Sequence, residues 1–225
     1  MTEINAKRIS LFMGHYGSGK TNIAINYAHR IRQSGKEVAI ADLDIVNPYF
    51  RMKDSQEEML KEGIDVIALP FANSSVDLPA LPSAAYSLVQ NTARYAVLDI
   101  GGDDRGALAL GRFTPYIREE NNYDVFFVAN FYRPLTMTAA DAMEVMREIE
   151  AASGLPFTGI INNSNLGAET TAATVLATLK RCAELSKLSG LPVVFTSVHE
   201  SLEEELTGQI PRLFSLRLQH RIFDL

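Results

Sequence analysis

Seven short apolar runs, separated by helix-like segments, constrain the fold of this chain more than any other feature of its sequence. Most are apolar at consecutive rather than alternate positions, which is typical of strands covered on both faces. The runs are RISLFM (8–13), EVAIAD (37–42), IDVIAL (64–69), YAVLDI (95–100), DVFFVAN (124–130), FTGIIN (157–162) and PVVFTS (192–197). They predict an α/β fold, a doubly wound and mainly parallel sheet of about seven strands with helices on both faces.

Three of the intervening segments have the apolar spacing of amphipathic helices. The first precedes Gly35, the second runs from a capping box at Thr138 to Gly154, and the third extends from about Thr170 to Leu188 before Gly190. The predicted apolar stripes are Ile23, Tyr27 and Ile31 in the first helix, and Val175, Leu179 and Cys182 in the third. Because strands and helices alternate, ligands are expected at the carboxyl ends of the strands.

Length and composition favour one globular domain. The chain has 225 residues, 47% of them hydrophobic and 21% charged, and no Pro-, Gly- or Ser-rich linker divides it. We therefore expect a single domain over residues 1–225. The formal net charge of −6 and the scattered basic residues argue against a nucleic-acid-binding surface.

The sequence also indicates a compartment. No apolar run approaches the roughly 20 residues of a membrane-spanning helix, and the start of the chain lacks the apolar core of a signal peptide. The single cysteine, Cys182, cannot form an internal disulfide. We expect a cytoplasmic protein without a membrane span.

The segment GHYGSGKT at 14–21 matches the phosphate-binding loop G-x-x-x-x-G-K-[ST], or P-loop, and lies between a predicted strand and a predicted helix. Glycines let backbone N–H groups converge on phosphate oxygens, and the helix N-terminus adds its positive dipole. Lys20 is expected to hold the β and γ phosphates, and the Thr21 hydroxyl to bind Mg²⁺. The predicted nucleotide-binding residues of this segment are Gly14, His15, Tyr16, Gly17, Ser18, Gly19, Lys20, Thr21 and Asn22.

Acidic residues end two further predicted strands, where a P-loop protein needs carboxylates for the metal and the attacking water. Asp99 is the candidate Walker B acid near Mg²⁺; alternatively, it caps the next helix. Asp42 and Asp44 end the second run, Asp42 nearer the metal and Asp44 as the better candidate for polarising the attacking water. Together with Lys20, Asp44 and Asp99 are the candidate catalytic residues.

An irregular segment, LPFANSSVDLPALPS at 69–83, is too rich in Pro, Ser and Asn for a helix. It follows the third predicted strand. Two interpretations are open: a surface connection, or a loop that selects a substrate or partner.

The P-loop, DLDI after the second strand and VLDIGGD after the fourth together resemble the MinD/ParA class of P-loop ATPases, the CobQ/CobB/MinD/ParA family. The resemblance covers nearly the whole chain. It implies a P-loop NTPase fold that binds ATP or ADP with Mg²⁺ and forms a homodimer or binds a protein partner. It also implies that Asn162 or Asn163 contacts the adenine ring, and that Thr196 and Ser197 lie in a second base-contacting loop.

The sequence departs from that class at three places. Where the resemblance implies a second lysine that reaches the phosphates of a partner subunit, this chain has His15, which either imitates that contact when protonated or only fills the loop. The single cysteine predicts that no iron–sulfur cluster binds. The ending PRLFSLRLQHRIFDL fits a membrane-binding amphipathic helix poorly, so we expect it to pack on the body of the protein.

Three functions compete. The first is an ATP-driven switch with slow hydrolysis that regulates a partner or an assembly. The second is a synthetase that transfers the γ phosphoryl group to a substrate carboxylate, as in the cobyrinic acid diamide and dethiobiotin synthetases, with Arg133 as an anion contact. The third is a nucleotide-binding scaffold without turnover, which the combination of Lys20, Thr21, Asp44 and Asp99 argues against.

Overall fold

The computed structural model describes residues 4–43, 52–67, 83–101 and 110–218. The strands in these residues are β1 (Ile9–Met13), β2 (Val38–Leu43), β3 (Ile64–Ile67), β4 (Tyr95–Ile100), β5 (Tyr123–Ala129), β6 (Gly159–Asn162), β7 (Val193–His199) and β8 (Leu213–Leu216). The α-helices are α1 (Lys20–Gln33), α2 (Met52–Lys61), α3 (Ser83–Gln90), α4 (Thr114–Glu120), α5 (Ala139–Ser153), α6 (Ala172–Leu176), α7 (Leu179–Ser189) and α8 (Glu203–Leu206).

The described strands form one parallel sheet in the order β3-β2-β4-β1-β5-β6-β7-β8. The first seven coincide with the seven apolar runs, which confirms the predicted mainly parallel sheet, and β8 is an addition. From β1 the chain crosses to β2 on one side, and from β5 onward it builds the other side. The direction of winding therefore reverses beside β1, and this is where an open α/β sheet forms its ligand-binding crevice.

Each central strand is buried on both faces, as the continuous apolar runs predict. In β1, Leu11 and Met13 pack into a core with α3, α4, α5 and α7, whereas Phe12 packs into a second core with α1 and α2. All three side chains are at most 1% exposed. Successive side chains of a strand point to opposite faces, so this division follows from strand geometry. The prediction of helices on both faces is confirmed.

Two of the three predicted helices have the expected limits. The capping box of Thr138 and Asp141 starts α5, and Gly154 ends it in the left-handed conformation. The third predicted helix is instead two helices, α6 and α7. They separate at Thr178, whose buried hydroxyl donates to Val175 O at 2.7 Å and accepts from Asn162 Nδ2 at 3.1 Å. These bonds compete with a continuous helix.

The edge strand β8, next to β7, contacts helix α1. Phe214 stacks on Phe195 of β7 at 4.5 Å between ring centroids, and the Arg30 guanidinium of α1 lies 5.3 Å from the centre of the Phe214 ring. Asn26 of α1 donates to Arg217 O at 3.0 Å and accepts from Arg217 N at 2.9 Å. The expectation that this part of the chain packs on the body is confirmed for residues 213–217.

No helix within the described residues combines the length and the apolar character needed to cross a bilayer.

Two buried groups that lose a proton at alkaline pH, a thiol and a phenol, predict that the protein becomes less stable as the pH rises. Burial raises the pKa of the Cys182 thiol to about 12, and it also raises the pKa of the Tyr27 phenol. In the unfolded chain these groups ionise near pH 9 and pH 10. Above pH 9 the unfolded state therefore holds fewer protons than the native state, so the free energy of unfolding falls, by at most about 1.4 kcal/mol per pH unit for each group.

Urea unfolding at pH 8 to 11 checks this prediction. The double variant Cys182→Ala/Tyr27→Phe is expected to start less stable, because it loses packing, but to lose stability less steeply above pH 9. Equal slopes for the variant and the wild-type protein would show that other groups cause the alkaline loss.

Candidate functional site

The P-loop connects β1 to α1 at the centre of the sheet, and two of its glycines, Gly14 and Gly19, have no room for a side chain. Gly14, Gly17 and Gly19 have φ angles of 153°, 76° and 86°. A Cβ on Gly14 would lie 2.5 Å from Val128 O, and one on Gly19 would lie 2.3 Å from Asn163 Nδ2. Because both distances are far below a van der Waals contact, the close approach of the loop to β5 and β6 requires glycine at these positions.

Helix α1 begins with the two residues expected to handle phosphate and metal. Lys20 is 7% exposed, and its Nζ lies 3.4 Å from His15 O, so the side chain folds back along the loop. The Thr21 hydroxyl donates to Asp99 Oδ2 at 2.5 Å. The N-cap residue is Gly19, and no acidic residue occupies the first turn. The amino end of α1 therefore keeps its positive dipole directed at the loop.

The two described carboxylates predicted to serve the metal lie side by side. Asp42 of β2 is the register partner of Asp99 of β4, and neighbouring strands in register place such side chains on the same face. Asp99 is 1% exposed and, as described, accepts from Thr21. The Asp99 carboxylate thus contacts the Thr21 hydroxyl, and Asp42 lies beside Asp99 on the neighbouring strand. Asp44, the predicted water-polarising residue, lies outside the described residues.

This donor set fits Mg²⁺. Carboxylate and hydroxyl oxygens are its preferred protein ligands, and in phosphate sites it takes the remaining ones from water and the nucleotide. No cluster of three or more His, Cys, Asp or Glu residues suited to a metal occurs in the part of the chain that the structure describes. The Thr21 hydroxyl and the Asp99 carboxylate are oxygen ligands of the kind that Mg²⁺ takes from a protein beside those of water and phosphate.

Asn163, directly after β6, links the P-loop to β7. Its Nδ2 donates to Ser18 O at 2.6 Å, and its Oδ1 accepts from Ser197 Oγ of β7 at 2.7 Å. The side chain is almost fully buried. Both the donor and the acceptor of this buried amide are satisfied. Asn163 therefore holds the P-loop at a fixed distance from the end of β6.

The remaining residues predicted to contact the base are also bound within the protein. Asn162 is fully buried; its Nδ2 donates to Thr178, and its Oδ1 accepts from the backbone N and the hydroxyl of Ser164 at 3.2 and 2.7 Å. Thr196 and Ser197 lie inside β7 rather than in the loop after it, and both are buried. Contact of these residues with a base stays a prediction, and Asn162 and Ser197 would exchange internal hydrogen bonds to make it.

The other predicted loop residues have clear positions. His15 Nδ1 lies 3.0 Å from Tyr16 O, so this nitrogen carries the proton, because a carbonyl oxygen only accepts. The Tyr16 side chain is 58% exposed. Asn22 lies in the first turn of α1 and accepts from Asn26 through its carbonyl oxygen at 2.8 Å.

Two residues after β5 make contacts at the site that the sequence did not predict, although Arg133 was expected as an anion contact of a synthetase. Asn130, fully buried, accepts through Oδ1 from the backbone N of Tyr132 at 3.1 Å and of Asn165 at 3.3 Å. Arg133 donates through Nε to Gly17 O at 2.9 Å. The polar end of the run DVFFVAN was the available signal for Asn130, but spacing does not show that Arg133 lies on the P-loop.

Solved structures with a similar fold include three FtsY proteins. The signal recognition particle receptor FtsY of Elizabethkingia anophelis is 17% identical with a TM-score of 0.52, and the match covers 86% of this chain and 59% of that one; it has also been solved in complex with GDP. FtsY of Mycoplasma mycoides is 17% identical with a TM-score of 0.54, covering 88% and 62%. Chloroplast FtsY of Physcomitrella patens is 18% identical with a TM-score of 0.52, covering 86% and 59%.

At these identities the likeness shows the fold alone, and this chain spans about 60% of the length of those structures. No curated protein sequence matches the chain. The family model described as the CobQ/CobB/MinD/ParA nucleotide binding domain matches residues 10–188, which extend from β1 to α7 and include the P-loop, Asp42, Asp99 and Asn163. The chain therefore belongs to the CobQ/CobB/MinD/ParA nucleotide-binding domain family.

Proposed function

We propose that this protein, as a single domain, binds ATP with Mg²⁺, hydrolyses it slowly, and uses the nucleotide state to regulate a partner or an assembly. One observation carries the proposal: the Thr21 hydroxyl lies 2.5 Å from the Asp99 carboxylate, beside Asp42 and at the start of a helix that follows a glycine-lined loop. The loop supplies phosphate-binding N–H groups, and the hydroxyl and carboxylates supply oxygen ligands at its end.

Different side chains are proposed to bind the phosphates, to bind the metal ion and to orient the attacking water. Lys20 places a positive charge along the loop and, by turning from His15 O toward phosphate, would bind the β and γ phosphoryl groups. Thr21 and Asp99 would hold Mg²⁺, Thr21 directly and Asp99 through water, and Asp42 would complete the acidic side of the site. Bound Mg²⁺ supplies neutralisation of charge on the β and γ phosphates. We assign Asp44 to orienting the attacking water.

Exposed apolar side chains support a partner at this edge of the sheet. Of the eight large hydrophobic side chains exposed among the described residues, four belong to the loops after β1, β5 and β6, next to the phosphate site. They are Tyr16, Leu135, Met137 and Leu166, each at least 45% exposed. Clustering of this kind favours a contact surface, either with a second copy of the chain or with another protein.

A synthetase is the second candidate because the segment carrying Arg133 contacts the P-loop. A substrate carboxylate held by that arginine would lie near the transferred phosphoryl group. The segment 69–83, which the sequence offered as a loop that selects a substrate or partner, lies almost entirely outside the described residues.

Thermal unfolding with 2 mM MgCl₂ and ATP, GTP or no nucleotide tests the proposal. A nucleotide at about 100 times its Kd is expected to raise the midpoint by roughly 5–10 °C. ATP is expected to stabilise more than GTP. The preference for ATP is expected because the Asn-Lys-x-Asp guanine motif is absent from the sequence. GTP is tested as well because FtsY of Elizabethkingia anophelis has been solved with GDP.

Phosphate release and elution volume, measured on the same samples, separate the candidate functions. Slow basal release with an ATP-dependent shift to larger mass is the result expected for the switch. Constant mass with release that begins only when a small carboxylate is added indicates the synthetase. If neither nucleotide changes the midpoint, the proposed nucleotide-binding function is wrong.

A further inference from the structure

Arg133 lies directly against the P-loop. Its Nε donates to Gly17 O at 2.9 Å, and a Cβ on Gly17 would lie 3.3 Å from that nitrogen and 3.5 Å from Cζ. The guanidinium therefore lies within van der Waals distance of a position that has no side chain. Among the described residues, the two terminal amino groups of Arg133 make no hydrogen bond, and each can donate to a further acceptor.

Internal hydrogen bonds hold the segment that carries Arg133 in place. The backbone N of Arg133 donates to Asn130 O at 3.0 Å, and Thr136 N donates to Arg133 O at 3.0 Å. The Thr136 hydroxyl donates to Asn130 O at 2.6 Å. From the other side, Arg181 Nη1 donates to Phe131 O and Met137 O at 3.1 and 3.2 Å. An arginine on a loop with so many internal bonds loses little entropy when it engages a ligand.

The positive charge of Arg133 has no ion-pair partner in the described residues. The salt bridges there involve Arg8, His29, Arg94 and Arg217, each with a carboxylate within 4.0 Å, and Arg133 is not among them. Two cations, Lys20 within the P-loop and Arg133 after β5, thus lie at the same loop. Such a pair is complementary to a polyphosphate, which carries several charges along its length.

We propose that Arg133 is a second phosphate-binding residue, which contacts the polyphosphate of a nucleotide bound to the same chain through its terminal amino groups while Nε holds Gly17 O. The proposal rests on the proposed nucleotide-binding function and deepens it. It gives this chain, in which position 15 is histidine, a second cation at the phosphates without any contribution from a partner subunit.

The variant Arg133→Gln separates charge from support of the loop. The glutamine Nε2 occupies the same place along the side chain as the arginine Nε, so the bond to Gly17 O is retained while the guanidinium charge is lost. We expect the Kd for the nucleoside triphosphate that stabilises the wild-type protein to rise about 10-fold. We also expect the variant's affinity to fall less steeply than that of the wild type between 50 and 300 mM KCl.

Arg212→Gln is the matched control. Arg212 is exposed at the amino end of β8, at the opposite edge of the sheet, and the same net charge is lost there. Its Kd and salt dependence are expected to equal those of the wild-type protein. Thermal unfolding without nucleotide, with equal midpoints for both variants and the wild type, verifies that the fold is intact.

Each other result has a definite meaning. If the wild-type protein binds nucleotide and Arg133→Gln binds it equally well with the same salt dependence, the phosphate role is refuted and Arg133 only supports the loop. The same conclusion holds if Arg133→Ala weakens binding and Arg133→Gln does not. If the wild-type protein binds neither ATP nor GTP, the proposed function fails first, and this inference fails with it.

Discussion

Replacing Lys20 with alanine is expected to weaken binding of the nucleoside triphosphate by about 100-fold, because hydrogen bonds between charged groups contribute about 1.5–3 kcal/mol each and this ammonium group is placed to make at least one to the phosphates. The fold should tolerate the change. Lys20 is the first residue of α1, where alanine is a good helix former. Calorimetric titration with MgATP measures the affinity, and urea unfolding without nucleotide measures the stability.

Lys36→Ala is the control for this prediction. Lys36 is exposed just before β2, at the amino edge of the sheet, so its loss changes the net charge equally but at the wrong end for a ligand. Its affinity for MgATP should match that of the wild-type protein. A Lys20→Ala variant that binds MgATP as tightly as Lys36→Ala would remove the P-loop from the proposed function.

Replacing Gly19 with alanine is expected both to destabilise the protein and to abolish nucleotide binding. The substitution adds about 1–2 kcal/mol of backbone strain at a φ of 86°. It also drives a methyl group to within 2.3 Å of Asn163 Nδ2, so the bond from that amide to Ser18 O breaks at a further cost of about 1–3 kcal/mol. With the loop displaced, its N–H groups no longer converge on phosphate.

The chain offers a closely matched control in Gly35. Its φ is 81°, close to that of Gly19, but nothing lies within 4 Å of a Cβ added there. Gly35→Ala therefore measures backbone strain alone, and the excess loss of unfolding free energy in Gly19→Ala measures the collision with Asn163. In Gly19→Ala/Asn163→Ala the collision is relieved, so the two losses are expected to be less than additive. Equal losses for Gly19→Ala and Gly35→Ala would show that the Asn163 contact contributes nothing.

The strands of this fold were predictable because burial on both faces leaves an unmistakable pattern. Runs such as YAVLDI are apolar at consecutive positions, and the structure places them in β4 and its neighbours. Strand β8 escaped prediction because its four residues alternate between buried and half-exposed, and so short a segment has no distinctive period. The break between α6 and α7 escaped as well, because it depends on a bond from Asn162 to Thr178, which lies 16 positions away.

The part of the phosphate site that could be predicted is the part formed by residues close together in the sequence, because phosphate binding requires a defined spacing between them. The motif from Gly14 to Thr21 specifies a loop and the first turn of a helix, and both are found. The contact between Thr21 and Asp99 follows from the order of the strands, since β4 lies next to β1. The role of Asn163 did not follow, because its partners Ser18 and Ser197 are 145 and 34 positions distant. Only the packed sheet brings them together.

The attachment of α1 to β8 has a consequence for how the protein is made. The P-loop is synthesised before β8, so the helix that it starts gains its contacts with Phe214 and Arg217 only after about 200 further residues have been added. Because those contacts stabilise the helix that begins with Lys20, we expect the phosphate site to be fully ordered only after β8 has been synthesised. A nascent chain thus carries the complete motif long before it has a finished binding site.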